Sequence, residues 1–169
     1  MRLNLFTFSS DDGPTFEVWA PLEMQQRDAP ENIGALVAET AHGFAPNLVV
    51  GHNRVSADMT LQSLATRLEA DASVLPGAQL CPARTLTGTA GEVRITAFTH
   101  AGQAGSGPLY QMTACLLAPL GDRDDAEPVG NGDAYGERDL IYLTGTCTVE
   151  QMRTWDPAFV DAAMSVRFA

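Results

Sequence analysis

Polar and apolar residues alternate along much of this chain with a period of two, the spacing that turns every second side chain of a β-strand toward a buried face. Leu3-Asn4-Leu5-Phe6-Thr7-Phe8 opens the pattern and Ser9-Ser10-Asp11-Asp12-Gly13-Pro14 breaks it as a turn. Thr15-Phe16-Glu17-Val18-Trp19-Ala20 resumes it and stops at Pro21, which has no amide to donate. Gly34–Thr40 could be helical, but the turn His42-Gly43-Phe44-Ala45-Pro46 follows it and Asn47–Val55 is rich in β-branched residues, so a two-strand hairpin is expected there in preference to a helix. Glu92–His100, Leu109–Ala118 and Asp139–Cys147 read as a meander of three further strands.

Helical spacing is clearest at Thr60–Leu75, where Leu61, Leu64, Ala65, Leu68, Ala72 and Leu75 share one face. Asp58 or Thr60 supplies its cap, and Pro76-Gly77 ends it. Thr148-Val149-Glu150-Gln151 has the reciprocal capping pattern of a short helical turn. Asp156-Pro157 repeats a start signal, which predicts a last helix from that point with Phe159, Val160, Ala163 and Met164 on its apolar stripe. Val166-Arg167-Phe168 closes the chain, and no internal repeat or linker divides it. The expected organisation is one domain over 1–169 with a mobile acidic loop at about 121–138.

Composition narrows the function. With 169 residues, 45% hydrophobic and 18% charged, the chain fits a folded, soluble domain and not a disordered or disulfide-dense one. Ten arginines and no lysine exclude Schiff-base chemistry and a phosphate-loop lysine. A net charge of −11 sets the chain against nucleic acid and anionic membranes. No run has the length of a signal peptide or a spanning helix, so the chain as given is expected to be cytoplasmic. Cys81, Cys115 and Cys147 form no Cys-x-x-Cys pair and are expected as reduced core thiols, with a Cys115–Cys147 bridge the minor alternative.

Recognised catalytic and metal patterns fail one by one. Six acids crowd Gly121–Arg138, but the calcium-loop register puts Tyr135 and Tyr142 where ligands belong. Gly102–Pro108 is glycine-rich without Gly-Lys-Ser/Thr, and Gly105-Ser106-Gly107 lacks the nucleophile-elbow spacing. His42, His52 and His100 share no ligand spacing. No catalytic, cofactor-binding or metal-binding residue is therefore assigned, and no cofactor is expected. Trp19, Trp155, Tyr110 and Tyr142 are the candidate partner-binding residues, although aromatic side chains on alternating strands or helical stripes more often belong to a core.

The wording of several segments resembles the PsbP-like fold and its actinobacterial LpqN/LpqT branch, which is related to DcrB-like proteins and type VI effector chaperones. Phe44-Ala45-Pro46-Asn47-Leu48-Val49-Val50, the 60–75 helix with its Leu75-Pro76-Gly77 exit, Asp139–Thr146, and Trp155–Phe168 with its Ser165-Val166-Arg167-Phe168 tail carry the resemblance. It implies an α/β (α+β) sandwich, a twisted antiparallel sheet with helices packed on it. It also implies a binding or accessory protein without a common catalytic centre. The export leader and lipid-bearing cysteine of LpqN-type lipoproteins have no counterpart here, and no binding residue of the family transfers by position. The expected function is a non-catalytic, protein-binding or chaperone-like module linked to secretion or the cell envelope. It would act through an exposed sheet face or the groove beside helix 60–75, as a monomer or homodimer. A binder of a small apolar ligand and an enzyme built on scattered carboxylates and histidines are the alternatives.

Overall fold

Strand register decides which side chains share a face, and it sorts this chain into two cores. The computed structural model describes residues 2–40, 43–102, 107–118 and 137–169. In chain order these form β1 (Leu3–Ser9), β2 (Thr15–Pro21), β3 (Met24–Arg27), β4 (Gly34–Ala38), β5 (Asn47–Ser56), α1 (Leu61–Ser73), β6 (Gln79–Leu80), β7 (Arg84–Gly88), β8 (Gly91–Ala101), β9 (Pro108–Leu117), β10 (Glu137–Thr148), α2 (Met152–Met164) and β11 (Arg167–Phe168). The strands make an antiparallel three-stranded sheet, β1-β2-β11, and an eight-stranded sheet in the order β3-β4-β5-β10-β9-β8-β6, with β7 also paired to β8. The architecture is α+β, with helices packed on antiparallel sheets.

Alternation along the long strands builds both faces of the large sheet. Val93, Ile95, Tyr110, Met112, Ile141 and Leu143 point to one side, where they meet Phe159, Ala162 and Ala163 of α2 and the inward residues Phe8, Phe16 and Val18 of the small sheet. On the other side Cys115, Leu117, Leu140 and Tyr142 pack against Leu61, Leu64 and Leu68 of α1. Burying each large apolar side chain contributes about 1.5–3 kcal/mol, so the α2 side, which holds most of the fully buried ones, dominates stability.

Thr60, and not Asp58, caps α1. The Ser63 N–H donates to Thr60 Oγ1 at 3.1 Å and the Thr60 N–H donates to Ser63 Oγ at 3.2 Å. Leu75 falls beyond the helix end, which comes one turn ahead of Pro76-Gly77.

The start of α2 differs from the sequence expectation. Thr148 and Gln151 do exchange bonds, with the Thr148 N–H donating to Gln151 Oε1 at 3.0 Å and the Gln151 N–H donating to Thr148 Oγ1 at 3.3 Å. The helix then runs unbroken from Met152 through Pro157, so Asp156 is an interior residue and not a cap. Its carboxylate is drawn sideways instead. Arg84 Nη2 and Nη1 donate to its two oxygens at 2.8 and 3.1 Å, and the Tyr110 hydroxyl donates to Oδ1. Proline's fixed φ suits a helix, so Pro157 costs the helix one amide bond without breaking it.

Other segments escape the alternation rule. β3, β6 and β7 are short and polar, and β11 is a two-residue strand completed only by pairing with β2. Glu137 and Arg138, expected in the acidic loop, lie in β10 opposite Ser56 and Val55, whereas 119–136 fall outside the described residues.

Gly145 admits α2 to the sheet. A Cβ there would stand 2.4 Å from the Phe159 ring, which is buried. Gly145→Ala is expected to lower unfolding free energy by roughly 1–3 kcal/mol, because the ring has no free space to yield into; a denaturant titration reads this directly. The Asp156 cluster predicts the pH dependence. Burial pushes the Asp156 carboxyl up, but the Arg84 and Tyr110 hydrogen bonds and the Arg84 charge outweigh it and leave it below the usual carboxylate value. Its stabilisation is therefore complete above about pH 4 and is lost as pH falls through the lowered native value. Burial, followed by the Asp156 hydrogen bond, raises the Tyr110 hydroxyl. That contribution is complete below about pH 10 and is lost as pH rises beyond it. In stability–pH profiles, Asp156→Asn should flatten the acid limb and Tyr110→Phe the alkaline limb, with Tyr110→Phe costing about 1–2 kcal/mol at neutral pH.

Candidate functional site

The small sheet is buried on one face and open on the other, and its register gathers apolar residues on the open face. Phe6 and Phe8 of β1 and Phe16, Val18 and Ala20 of β2 turn inward, which leaves Leu3, Leu5 and Thr7 of β1 and Glu17 and Trp19 of β2 facing out. Leu5 lies directly opposite Trp19, and Leu3 opposite Pro21. Trp19 is 44% exposed, Leu3 49%, Leu5 37% and Leu22, in the turn after β2, 53%. Beyond Leu5 and Trp19 the same face becomes polar, with Thr7 opposite Glu17 and Glu17 opposite Arg167. The surface thus has an apolar half and a charged half.

The C-terminus of α2 holds this face in place. Beyond the two residues of β11, the Ser165 side chain continues the pairing with β2. Its Oγ accepts from the Trp19 N–H at 2.9 Å and lies 2.7 Å from the Ala162 carbonyl. Ser165 is the C-cap of α2, so the helix end and the Trp19 backbone are fixed to one another.

The sequence candidates do not converge. Trp19 alone among them stands on the open face. Trp155 is half-buried on α2 with its ring 5.9 Å from that of Phe159. Tyr110 is only 3% exposed and its hydroxyl is engaged by Asp156, so it belongs to the core. Tyr142 lies across Gly51, where a Cβ would stand 2.1 Å from the ring, and its hydroxyl donates to Asn32 Oδ1 at 3.1 Å. Leu3 and Leu5 were missed as site residues. Their signal was available in the pairing of β1 with β2, since the face carrying Trp19 also carries Leu5.

The thiols and histidines have other roles. The three cysteines are free. Cys115 packs under α1 whereas Cys147 lies on the α2 side, so the sheet separates them and no bridge joins them. Burial pushes the Cys115 thiol up to about 11, and burial with the nearby Asp156 charge pushes the Cys147 thiol up to about 12, the reverse of what a nucleophile needs. His52 Nε2 lies 2.8 Å from Asp139 Oδ1, at the side of a polar cleft of about 320 Å³ lined by Ser9, Ser10, Asp11, Glu31 and Asn32. Gly13 covers its ring, and a Cβ there would stand 2.5 Å from Cε1. His100 sits on β8, with Nδ1 3.0 Å from the Ala101 carbonyl oxygen, and β10 and β9 separate that strand from β5 and His52. His42 and residues 103–106 lie outside the described residues. Among the described residues no group of three or more His, Cys, Asp and Glu is placed to hold a metal ion, and no helix is long and apolar enough to cross a membrane.

No family model and no curated protein matches the chain. Solved structures do. The crystal structure of LpqN, involved in cell envelope biogenesis of Mycobacterium tuberculosis, superposes with a TM-score of 0.71 at 11% identity, covering 100% of this chain and 92% of that one. The solution structure of cyanobacterial PsbP from Synechocystis sp. PCC 6803 superposes with a TM-score of 0.60 at 12% identity, covering 98% of this chain and 92% of that one. With the two helices on antiparallel sheets, these likenesses identify the architecture: the chain has the PsbP-like fold, shared with LpqN.

Proposed function

We propose that the chain is a non-catalytic accessory module that binds another protein on the open face of the three-stranded sheet. The observation that carries this reading is the grouping of Leu3, Leu5 and Trp19 on one exposed surface, next to a helix end that fixes the Trp19 backbone. Contiguous apolar surface beside a polar rim is a common signature of a protein interface, and tryptophan is prominent among interface hot spots. Raised cysteine thiols and a covered His52 ring give no support to nucleophilic or acid–base chemistry at those residues. LpqN is described as involved in cell envelope biogenesis, and the shared fold supports a chaperone-like or accessory role connected to the envelope or to secretion. The charge of −11 favours a partner segment with basic flanks.

A photo-crosslinking residue at Leu5 tests the reading in the native cell, with the same residue at the exposed Arg67 of α1 as control. Leu5 is expected to yield one discrete adduct, Arg67 none, and Trp19→Ser should abolish the Leu5 adduct. Trp19→Ser should weaken binding by about 2 kcal/mol or more while changing stability by about 1 kcal/mol or less, since the ring faces outward. Equal labelling from Leu5 and Arg67, or an adduct indifferent to Trp19→Ser, would overturn the reading.

A further inference from the structure

Exposed sheet edges offer unpaired amides and carbonyls to any other strand, and proteins usually guard them with charge, proline, bulges or brevity. The edges of the large sheet follow that practice. β3 has four residues, with Gln25 and Arg27 bonded to each other and Gln25 also to Glu39, and β6 has two residues. The last residue of β7 abuts the end of α2, where a Cβ on Gly88 would stand 2.8 Å from the Met164 carbonyl oxygen. β11, the far edge of the small sheet, has two residues. β1 is different: seven residues, Leu3-Asn4-Leu5-Phe6-Thr7-Phe8-Ser9, with no charge and no proline.

The geometry of that edge is settled by its other side. The Leu22 N–H donates to the Arg2 carbonyl at 3.0 Å, in register with Asn4 opposite Ala20 and Phe6 opposite Val18. Even-numbered residues of β1 therefore direct their backbone groups to β2, and Leu3, Leu5, Thr7 and Ser9 direct theirs outward. The Leu5 amide is satisfied only locally, by Asn4 Oδ1 at 3.1 Å.

We infer that β1 pairs antiparallel with β1 of a second copy of this chain, joining the two small sheets into one continuous six-stranded sheet. Charge selects both the occupant and the direction. Arg2 precedes the strand, and Asp11 and Asp12 follow it. With Phe6 facing Phe6 on the two-fold axis, the whole strand overlaps, Leu5 lies opposite Thr7 of the second copy, and Arg2 lies opposite its Ser10, beside its acidic turn. A parallel pairing would set arginine against arginine and the two acidic turns against each other. A two-fold axis perpendicular to the sheet keeps both open faces on one side. The dimer accordingly leaves the Trp19 surface free and presents two of them side by side, an arrangement that goes beyond the binding reading above and does not depend on it.

Sedimentation equilibrium of the full chain across its soluble concentration range tests the inference. The native protein is expected to pass from monomer to dimer as concentration rises. Thr7→Pro removes an outward amide and none that bonds β2, as an edge position tolerates, and should remain monomeric. Arg2→Glu should raise the dissociation constant several-fold, and Arg2→Glu with Asp12→Arg should restore it. If Thr7→Pro fails to fold, the charge pair decides the matter alone. A native chain that stays monomeric at every concentration, or a dimer unaffected by Arg2→Glu and by a folded Thr7→Pro, overturns the inference.

Discussion

The Phe159 ring lies on Gly145, and much else in the fold depends on that contact. It brings α2 down onto β10 at a position in the strand where a side chain would hold the helix away. From there α2 becomes the layer shared by two sheets, with Phe159, Ala162 and Ala163 touching the large sheet and the small one within a single core. The Arg84–Asp156–Tyr110 cluster fixes the same helix from its flank. A bidentate guanidinium and a buried hydroxyl together satisfy a half-buried carboxylate, the condition under which such a charge does not destabilise its surroundings.

The seating of α2 also sets the disposition of the small sheet. The helix ends at Ser165, whose hydroxyl bonds the Trp19 backbone, and two residues later β11 pairs with β2. The hairpin β1–β2 is thus attached to the rest of the molecule through its inner phenylalanines and through the tail of α2. Its inward face is filled, so Leu3, Leu5 and Trp19 remain on the outside of the chain. Packing on one side and exposure on the other come from the same period-two alternation.

Much of this was legible in the sequence, for reasons that differ by element. The long meander strands announced themselves as alternating or apolar runs, because one face meets a deep core and α1 covers part of the other, so that β8 and β9 bury consecutive residues. α1 was legible from its 3.6 period, since one face alone is buried. Asp156-Pro157 misled because a start signal depends on a free carboxylate, and Arg84, 72 residues distant, had already taken it. β3, β6 and β7 are short and polar edge strands, and nothing in their composition records that a neighbour will pair with them. Trp19 was picked out as an aromatic, but its exposure was not readable. β1 carries leucines on one face and phenylalanines on the other, and only the fit of Phe6 and Phe8 against the core determines which face turns in. The resemblance to the PsbP-like fold supplied the architecture and no site, because its defining segments are packing and turn features.

Above all, α2 and the small sheet form one mechanical unit, so that the open apolar face is held by the helix and not by the hairpin's own stability. Native-state hydrogen exchange across a denaturant series measures this most directly. The amides of α2, β2 and β11 should open together, with one free energy and one denaturant dependence. Exchange of β2 and β11 at a distinctly lower free energy, while α2 remains closed, would contradict the coupling.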